Sequence, residues 1–216
     1  MGRLVALLSA VVLACALAAS ADAGKSRAHN KAPLQHVTIF GDSVAAALDW
    51  DPTARDVLEH GNRLTLELAP CGRLWTTGCF NPPPPSVLTE VRTLGRRIGP
   101  TAVVLVGYND DPHVYESGIA TVLRAMHQRG VKQVLWLTLR PVYKQYRITN
   151  EIIRAAARRF PWMTVVNWGG YSWTHASWFG PDGIHFNGGG AVQFAVYLHR
   201  TLAQYGLTGP VTSTAG

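Results

Sequence analysis

After residue 19, this 216-residue chain has no hydrophobic run that could span a membrane. A membrane-spanning helix needs roughly 20 consecutive apolar residues, and every later stretch of that length contains charges or prolines. The one long apolar run, residues 4–19, follows the basic Arg3 and precedes the small-residue sequence Ala21-Asp22-Ala23. This arrangement is typical of a signal peptide spanning residues 1–23, and we expect cleavage after Ala23. The sequence therefore predicts a secreted, extracellular protein without a membrane span.

Cysteine is scarce, with three in the chain, and only Cys71 and Cys79 remain once the signal peptide is removed. Cys15, within the apolar run, is a candidate for lipid attachment, but the bulky Leu13 stands where such a signal has a small residue. In the oxidising compartment that export implies, two remaining cysteines can pair. We therefore predict a Cys71–Cys79 disulfide, with two free buried thiols as the alternative.

Acidic residues are also few: 13 Asp and Glu stand against 20 Lys and Arg, giving a formal net charge of +7. Removal of the signal peptide takes away one residue of each sign, so the excess belongs to the mature protein. A positive field favours anionic partners such as cell-wall polymers. The alternative is that scattered arginines form solvated helix faces, and we expect no nucleic-acid partner. These arginines are Arg92, Arg96, Arg97, Arg154, Arg158 and Arg159.

The chain has the length of one domain and shows no internal repeat. Residues 24–34 are polar and basic, which predicts a flexible leader into a domain spanning residues 35–207, and residues 208–216 form a tail. Four consecutive prolines at 82–85 predict a stiff connector, after which Ser86 can cap a helix. We expect a monomer.

Strand and helix patterns alternate along the domain. Short apolar, β-branched runs predict buried strands at residues 37–40, 64–68, 103–106, 134–139 and 164–168. Helical spacing of apolar residues predicts helices at residues 86–98, 114–129, 145–159 and 190–205. Apolar strands separated by helices imply a parallel sheet covered on both faces. The predicted fold is an α/β, three-layer α/β/α sandwich with a five-stranded parallel sheet.

Four short blocks of polar residues and glycine follow the predicted strands. Gly41-Asp42-Ser43 follows the first strand, Gly72 lies just past the second, and Gly107-Tyr108-Asn109-Asp110 follows the third. Asp182-Gly183-Ile184-His185 lies between the last strand and the last helix. Ligands of open parallel sheets bind beyond the carboxyl ends of the strands. We therefore expect the four blocks to converge at one edge of the sheet.

In this order and spacing, the blocks resemble those of the SGNH hydrolases, the GDSL-type esterases and lipases, over residues 35–205. Single blocks of this kind occur by chance, but their order and placement after strands are specific. The sequence is most similar to small exported actinobacterial members. That closer likeness comes from Ala69-Pro70-Cys71, the proline run at 82–85, and Trp178-Phe179 ahead of Asp182. The resemblance implies a flavodoxin-like sandwich and an ester-cleaving serine enzyme.

The resemblance also implies roles for individual residues. It makes Ser43 the nucleophile, His185 the base and Asp182 the acid that orients His185. The Gly72 amide and the Asn109 side chain become oxyanion donors alongside the Ser43 amide. The chemistry agrees, because a serine hydroxyl is a weak nucleophile unless a neutral imidazole takes its proton. No cofactor and no metal are implied.

Other interpretations of the same residues remain open. Ser43 can cap a helix that starts near Val44, and Gly72 can be a simple turn glycine. The Gly-x-Ser-x-Gly elbow of α/β-hydrolases is nearly present, but Ala45 replaces its last glycine, and the short Asp182 to His185 spacing favours the SGNH arrangement. A metal site is the remaining alternative, although no metal-ligand spacing supports it. Its ligands would be Asp110, Asp111, Asp182 and His185.

The native substrate is not specified by the motifs. No long apolar insertion suggests a lipase lid, so we expect short acyl groups on an accessible ester, either lipid or acylated glycan. Aromatic residues cluster ahead of Asp182 and either line the cleft or pack beneath a loop. These are Trp168, Tyr171, Trp173, Trp178 and Phe179. The alternatives are an O-acyltransferase or deacetylase acting on cell-wall glycan, and a non-catalytic wall-binding domain.

Overall fold

The structure is a computed structural model that describes residues 34–209. The predicted signal peptide at 1–23 and all but the last residue of the predicted leader lie outside the described residues, as does the tail beyond residue 209. Within the described part, no helix is long and apolar enough to cross a membrane.

Five parallel strands form one sheet in the spatial order β2-β1-β3-β4-β5. The strands are β1 (Gln35–Gly41), β2 (Asn62–Leu68), β3 (Thr101–Leu105), β4 (Gln133–Leu137) and β5 (Met163–Val166). The order reverses beside β1, because the chain first adds β2 on one side and then β3 on the other. Such a reversal opens a crevice at the carboxyl ends of the strands.

Helices cover both faces of the sheet. They are α1 (Ala47–Trp50), α2 (Pro52–Glu59), α3 (Val87–Leu94), α4 (Pro112–Gln128), α5 (Lys144–Ala157), α6 (Trp168–Trp173) and α7 (Gly188–Gln204). Two short 3-10 helices, Gly95–Ile98 and Ala176–Trp178, complete the described secondary structure. The predicted three-layer α/β/α sandwich with a five-stranded parallel sheet is therefore confirmed.

Alternating strand residues fill two separate cores. In β3, Val103 and Leu105 face a core that includes residues of α1, α2 and α7, whereas Ala102 and Val104 face a core with α3 and α4. All four are fully buried. Because side chains alternate across a strand, a continuous apolar run is what a sheet buried on both faces requires.

Most strand and helix boundaries differ from the predictions by one or two residues, and three differences are informative. The predicted strand at 164–168 ends at Val166, and Trp168 instead begins α6 and is fully buried. The helix expected near Val44 begins only at Ala47, with α2 following directly. The helix predicted at 86–98 ends as a 3-10 turn after Leu94. Apolar runs predict that a segment is buried, but hydrogen bonding decides where each element stops.

One cap was predicted correctly. The Ser86 hydroxyl accepts a hydrogen bond from the Thr89 amide at 3.2 Å and so begins α3 directly after the proline run. A cap of this kind satisfies a helix amide that otherwise has no partner.

Candidate active site

Ser43 lies in the tight turn that leaves β1 at its carboxyl end. Gly41, the last residue of β1, makes the turn possible: a Cβ there would collide with the Ala45 side chain and lie 2.8 Å from Leu68. Ser43 is not a helix cap, because the capping position of α1 is Ala46. Among residues 34–209, the Ser43 amide donates to no acceptor and is free to face a ligand.

Asp42 holds this turn against the loop that follows β3. Its carboxylate is fully buried and accepts hydrogen bonds from the amides of Val44, Gly107 and Tyr108, each at 3.1 Å. Burial raises the pKa of Asp42 to about 6, although these three hydrogen bonds act in the opposite direction. Asp42 therefore positions Ser43 through the backbone and does not face the reacting groups.

Asp182 and His185 lie in a short loop ahead of α7. Its ends are joined by an antiparallel bridge between Phe179 and Phe186 and by a 2.8 Å hydrogen bond from the Gly180 amide to the His185 carbonyl. Asp182 Oδ1 also accepts from the amides of Ile184 and His185 at 2.9 and 3.1 Å. The loop therefore holds both side chains in one orientation.

The side chains of Ser43, His185 and Asp182 form one hydrogen-bonded chain. His185 Nε2 lies 2.8 Å from Ser43 Oγ, and His185 Nδ1 lies 2.6 Å from Asp182 Oδ2. Although 142 residues apart in sequence, Ser43 and His185 meet because both follow carboxyl ends of the same sheet. A serine, an imidazole and a carboxylate joined in this order can activate the hydroxyl for attack.

The electrostatics keep Asp182 ionised. Burial raises the pKa of its carboxyl, but the hydrogen bonds from the His185 ring and from the Ile184 and His185 amides outweigh this effect. The net result is a pKa below the ordinary value for aspartate. A carboxylate in this state can hold the imidazole in one tautomer and stabilise its protonated form.

Gly72 and Asn109 lie beside each other on the loops that follow β2 and β3. Asn109 Nδ2 donates to the Gly72 carbonyl at 3.2 Å, which leaves its second hydrogen available. The Gly72 amide donates to the Ala69 carbonyl at 2.6 Å. Of the three predicted oxyanion donors, the Ser43 amide is thus free, Asn109 is half engaged, and the Gly72 amide is engaged within its own turn.

Cys71 and Cys79 form a disulfide, as the sequence predicted, with their Cα atoms 5.4 Å apart. Cys71 directly precedes Gly72 and is the one described non-glycine residue with a positive φ, +62°. The Cys79 amide also donates to the Cys71 carbonyl at 3.3 Å. The disulfide therefore closes the loop that carries the Gly72 amide.

Asp110 has a structural role that the sequence did not predict. Its carboxylate is buried and accepts from the Leu74 amide at 3.2 and 3.3 Å, which ties the loop after β3 to the Gly72 loop. Burial raises the pKa of Asp110 to about 7, partly opposed by the Leu74 hydrogen bond. Arg73 adds a second tie between the loops, since its Nε donates to the Asn109 carbonyl at 2.9 Å.

Arg140 is a second residue whose role the sequence did not predict. Only 6% of it is exposed, and no carboxylate within residues 34–209 pairs with it. Its guanidinium donates to the carbonyls of Gly183 at 2.7 Å, Ser172 at 3.4 Å and Trp173 at 3.4 Å. It also lies 4.4 Å from the centre of the Phe179 ring. Arg140 directly follows the predicted fourth strand. The rule that ligands bind beyond the carboxyl ends of parallel strands therefore points to Arg140 as it does to the four blocks.

The aromatic residues ahead of Asp182 divide into two groups. Trp168 and Phe179 are buried in the core and Trp178 packs against it, partly buried, so for these three the packing interpretation holds. Tyr171 and Trp173 are 41% and 52% exposed. Trp173 also covers Arg140, whose guanidinium carbon lies 5.3 Å from its ring centre.

The alternative metal site finds no support in the geometry. Within the described residues, no group of three or more His, Cys, Asp or Glu side chains is arranged to hold a metal ion. Asp110 is occupied by the Leu74 amide, and Asp111 caps α4 by accepting from the amides of His113 and Val114.

Comparison with known proteins gives matches at the level of structure. No protein-family model and no curated protein matches the chain. TesA is similar with a TM-score of 0.60 and 16% identity, over 79% of this chain and 99% of that chain. The psychrotrophic esterase EstA from Pseudoalteromonas sp. is similar with a TM-score of 0.58 and 10% identity, over 79% and 98%. A carbohydrate esterase of family 3 from Talaromyces cellulolyticus has a TM-score of 0.54 and 14% identity, over 80% and 98%.

These similarities, together with the sheet order, define the class of the fold. The chain has the fold of the SGNH-type esterases, as the sequence resemblance predicted. The closer likeness to exported actinobacterial members stays a prediction.

Proposed function

We propose that the protein hydrolyses carboxylic esters through an acyl-serine intermediate. The observation that carries this proposal is the hydrogen-bonded chain from Ser43 Oγ through the His185 ring to Asp182. The similar structures include an esterase from Pseudoalteromonas sp. and a carbohydrate esterase. Contact among the Ser43, His185 and Asp182 side chains in a fold shared with esterases favours an ester hydrolase.

In the first half of the reaction, Ser43 Oγ attacks the ester carbonyl while His185 Nε2 takes the hydroxyl proton. The tetrahedral intermediate collapses by breaking the bond to the alcohol oxygen, and His185 returns its proton to the leaving alcohol. In the second half, His185 removes a proton from water, which attacks the acyl group and releases the acid and free Ser43. Asp182 orients His185 throughout and stabilises its charged form.

The oxyanion formed in both halves needs hydrogen-bond donors. The free Ser43 amide and the second hydrogen of Asn109 Nδ2 can supply two of them. The Gly72 amide becomes a third donor if its hydrogen turns from the Ala69 carbonyl toward the substrate. Loss of one such donor typically reduces the rate by about 10² to 10³-fold, so Asn109→Ala should show a loss of that size.

We propose further that the substrate carries a short acyl group and that the enzyme works outside the cell. The His185 and Asp182 side chains are 50% and 45% exposed, which suits an accessible ester. The Cys71–Cys79 disulfide suits an oxidising compartment.

The test is hydrolysis of p-nitrophenyl esters from acetyl to palmitoyl by the purified protein and by Ser43→Ala. We expect turnover that is greatest with the shortest chains and is reduced at least about 10³-fold in Ser43→Ala. Ser172→Ala, which removes a buried hydroxyl outside the hydrogen-bonded chain, is the matched control and should stay active. Equal activity in Ser43→Ala and the parent protein would contradict the serine mechanism.

The same assay tests the base and the competing activities. The variant His185→Ala should lose activity as Ser43→Ala does, because no group then takes the serine proton. With a glycan alcohol added, acyl-glycan in place of free acid would identify a transferase. A folded protein with no turnover on any ester would favour a binding domain.

A further inference from the structure

A second group of basic side chains lies at the amino edge of the sheet, opposite the candidate active site. His36 and Arg63 are the second residues of β1 and β2. Arg96 and Arg97 lie in the 3-10 helix that precedes β3. They line an open groove of about 530 Å³. Thr65, Leu64, Gly99 and Pro100 complete its lining.

The arginines of this basic groove form no ion pair among the described residues. Within residues 34–209, no carboxylate lies within 4.0 Å of Arg63, Arg96 or Arg97, and the groove lining contains none. Arg97 does donate to the Leu94 and Thr93 carbonyls at the end of α3, which fixes its guanidinium in place. Glu67 lies close enough for the charge of Arg97 to oppose the rise of its pKa, which burial causes first. Arg63 and Arg96 have no such neighbour in the described part of the chain, and an anion in the groove would relieve the repulsion among the three like charges.

The His36 ring forms the floor of the basic groove and is held in place by a hydrogen bond. His36 Nε2 is hydrogen bonded to Thr65 Oγ1 at 2.9 Å. The other ring nitrogen, Nδ1, lies against Gly99, where a Cβ would be only 2.5 Å away. Gly99 has a φ of +76°, a conformation that favours glycine. Because glycine has no side chain, nothing at this position covers His36 Nδ1. Burial, and next the charge of Arg63, lower the pKa of His36, as expected where the potential is positive.

We propose that the basic groove binds a phosphate-bearing anion through Arg63, Arg96 and Arg97, with His36 at its floor. The planar guanidinium fork matches two phosphate oxygens, which is why arginine is favoured for phosphate recognition. A volume of about 530 Å³ exceeds one phosphate and accommodates either a phosphate monoester or a segment of a phosphodiester chain. Because the groove lies at the opposite edge from Ser43, binding there leaves the candidate active site open.

The experiment is a titration of the purified full-length chain at constant ionic strength, followed by the NMR signals of the His36 ring. The probes are glycerol 1-phosphate and poly(glycerol phosphate). We expect saturable shifts of the His36 signals and a rise in its pKa on binding. Tighter binding of the polymer would identify a phosphodiester chain as the ligand, and equal binding per phosphate would identify a monoester.

The variant Arg63→Gln/Arg96→Gln should weaken binding at least about tenfold, since it removes two charged hydrogen-bond donors from the groove. The control Arg158→Gln/Arg159→Gln removes the same charge from the end of α5 and should bind as the parent does. Neither pair belongs to the candidate active site, so ester hydrolysis should be unchanged in both and reports that each variant is folded. Equal weakening in both variants, or no shift of the His36 signals with either probe, would overturn the proposal.

Discussion

At the scale of single residues, the buried guanidinium of Arg140 is the least expected feature of the candidate active site. A buried charge without a counter-ion is costly, and here backbone carbonyls and aromatic rings satisfy it. The shortest of its hydrogen bonds reaches the Gly183 carbonyl, between Asp182 and His185 in sequence. Arg140 is therefore a positioning residue for the loop that carries Asp182 and His185.

We expect Arg140→Lys to lower kcat about 10 to 100-fold with a KM within about threefold of the parent, because lysine keeps the charge but loses the fork that holds the loop. Steady-state kinetics on p-nitrophenyl acetate measures both constants, and circular dichroism confirms that the variant is folded.

A double-mutant cycle separates positioning from a purely structural role. If Arg140 acts through the Asp182-His185 loop, its effect should shrink in the Asp182→Asn background. Losses in kcat that simply multiply in Arg140→Lys/Asp182→Asn would show that the two residues act independently and would contradict the assignment.

At the scale of elements, the disulfide loop carries one candidate oxyanion donor and one fully buried side chain, that of Leu74. Closing a loop of this size stabilises the fold by about 2.5 kcal/mol in the chain-entropy model. Cys71 holds a positive φ of +62°, which costs free energy for a residue with a side chain and needs the surrounding loop to maintain it. Opening the disulfide should therefore disturb Gly72 before it unfolds the protein.

We expect the activity of the parent protein to be lost at lower dithiothreitol concentration than its circular dichroism signal. The variant Cys71→Ser/Cys79→Ser should be folded, with kcat reduced about tenfold or more because the Gly72 amide is no longer held. The double variant also serves as the control, since added dithiothreitol should not change it further. Coincident loss of activity and fold in the parent protein would contradict this prediction.

At the scale of the whole molecule, the buried carboxyls of Asp42 and Asp110 link stability to pH. Their pKa values of about 6 and about 7 lie above that of an aspartate in the unfolded chain. The folded state therefore binds these protons more tightly than the unfolded state does. Their contribution to stability is complete below the unfolded pKa of about 3.9 and is lost as the pH rises through 6 to 7.

Asp110→Asn tests this linkage, because an asparagine oxygen can still accept from the Leu74 amide but cannot titrate. Between pH 5 and pH 8, the free energy of unfolding of the parent should fall by about 2 kcal/mol relative to Asp110→Asn. Urea denaturation at the two pH values measures the difference. Glu116→Gln, an exposed change on α4, controls for the loss of one negative charge. A difference between parent and Asp110→Asn that does not change with pH would contradict the linkage.

The sequence was sufficient to predict the fold, and it singled out Ser43, Asp182 and His185, whose side chains the structure brings into contact, because both depend on local patterns. Apolar runs of strand length define a sheet buried on both faces, and polar blocks that directly follow strands must lie at its carboxyl edge. The Ser86 cap and the disulfide likewise follow from a few neighbouring residues or from the cysteine count. These predictions required no knowledge of which strand pairs with which.

What only the tertiary structure decided involves groups that are distant in sequence. Three predicted donors were equivalent in the sequence, but the Gly72 amide turned out to be bonded to Ala69. The sequence places Arg140 directly after a strand, but its role depends on the Gly183 carbonyl 43 residues away. The basic groove likewise joins side chains from three segments that meet only when the sheet forms. The sequence by itself determined which elements form and which residues follow them, whereas chain packing alone determined which hydrogen bonds and charges those residues share.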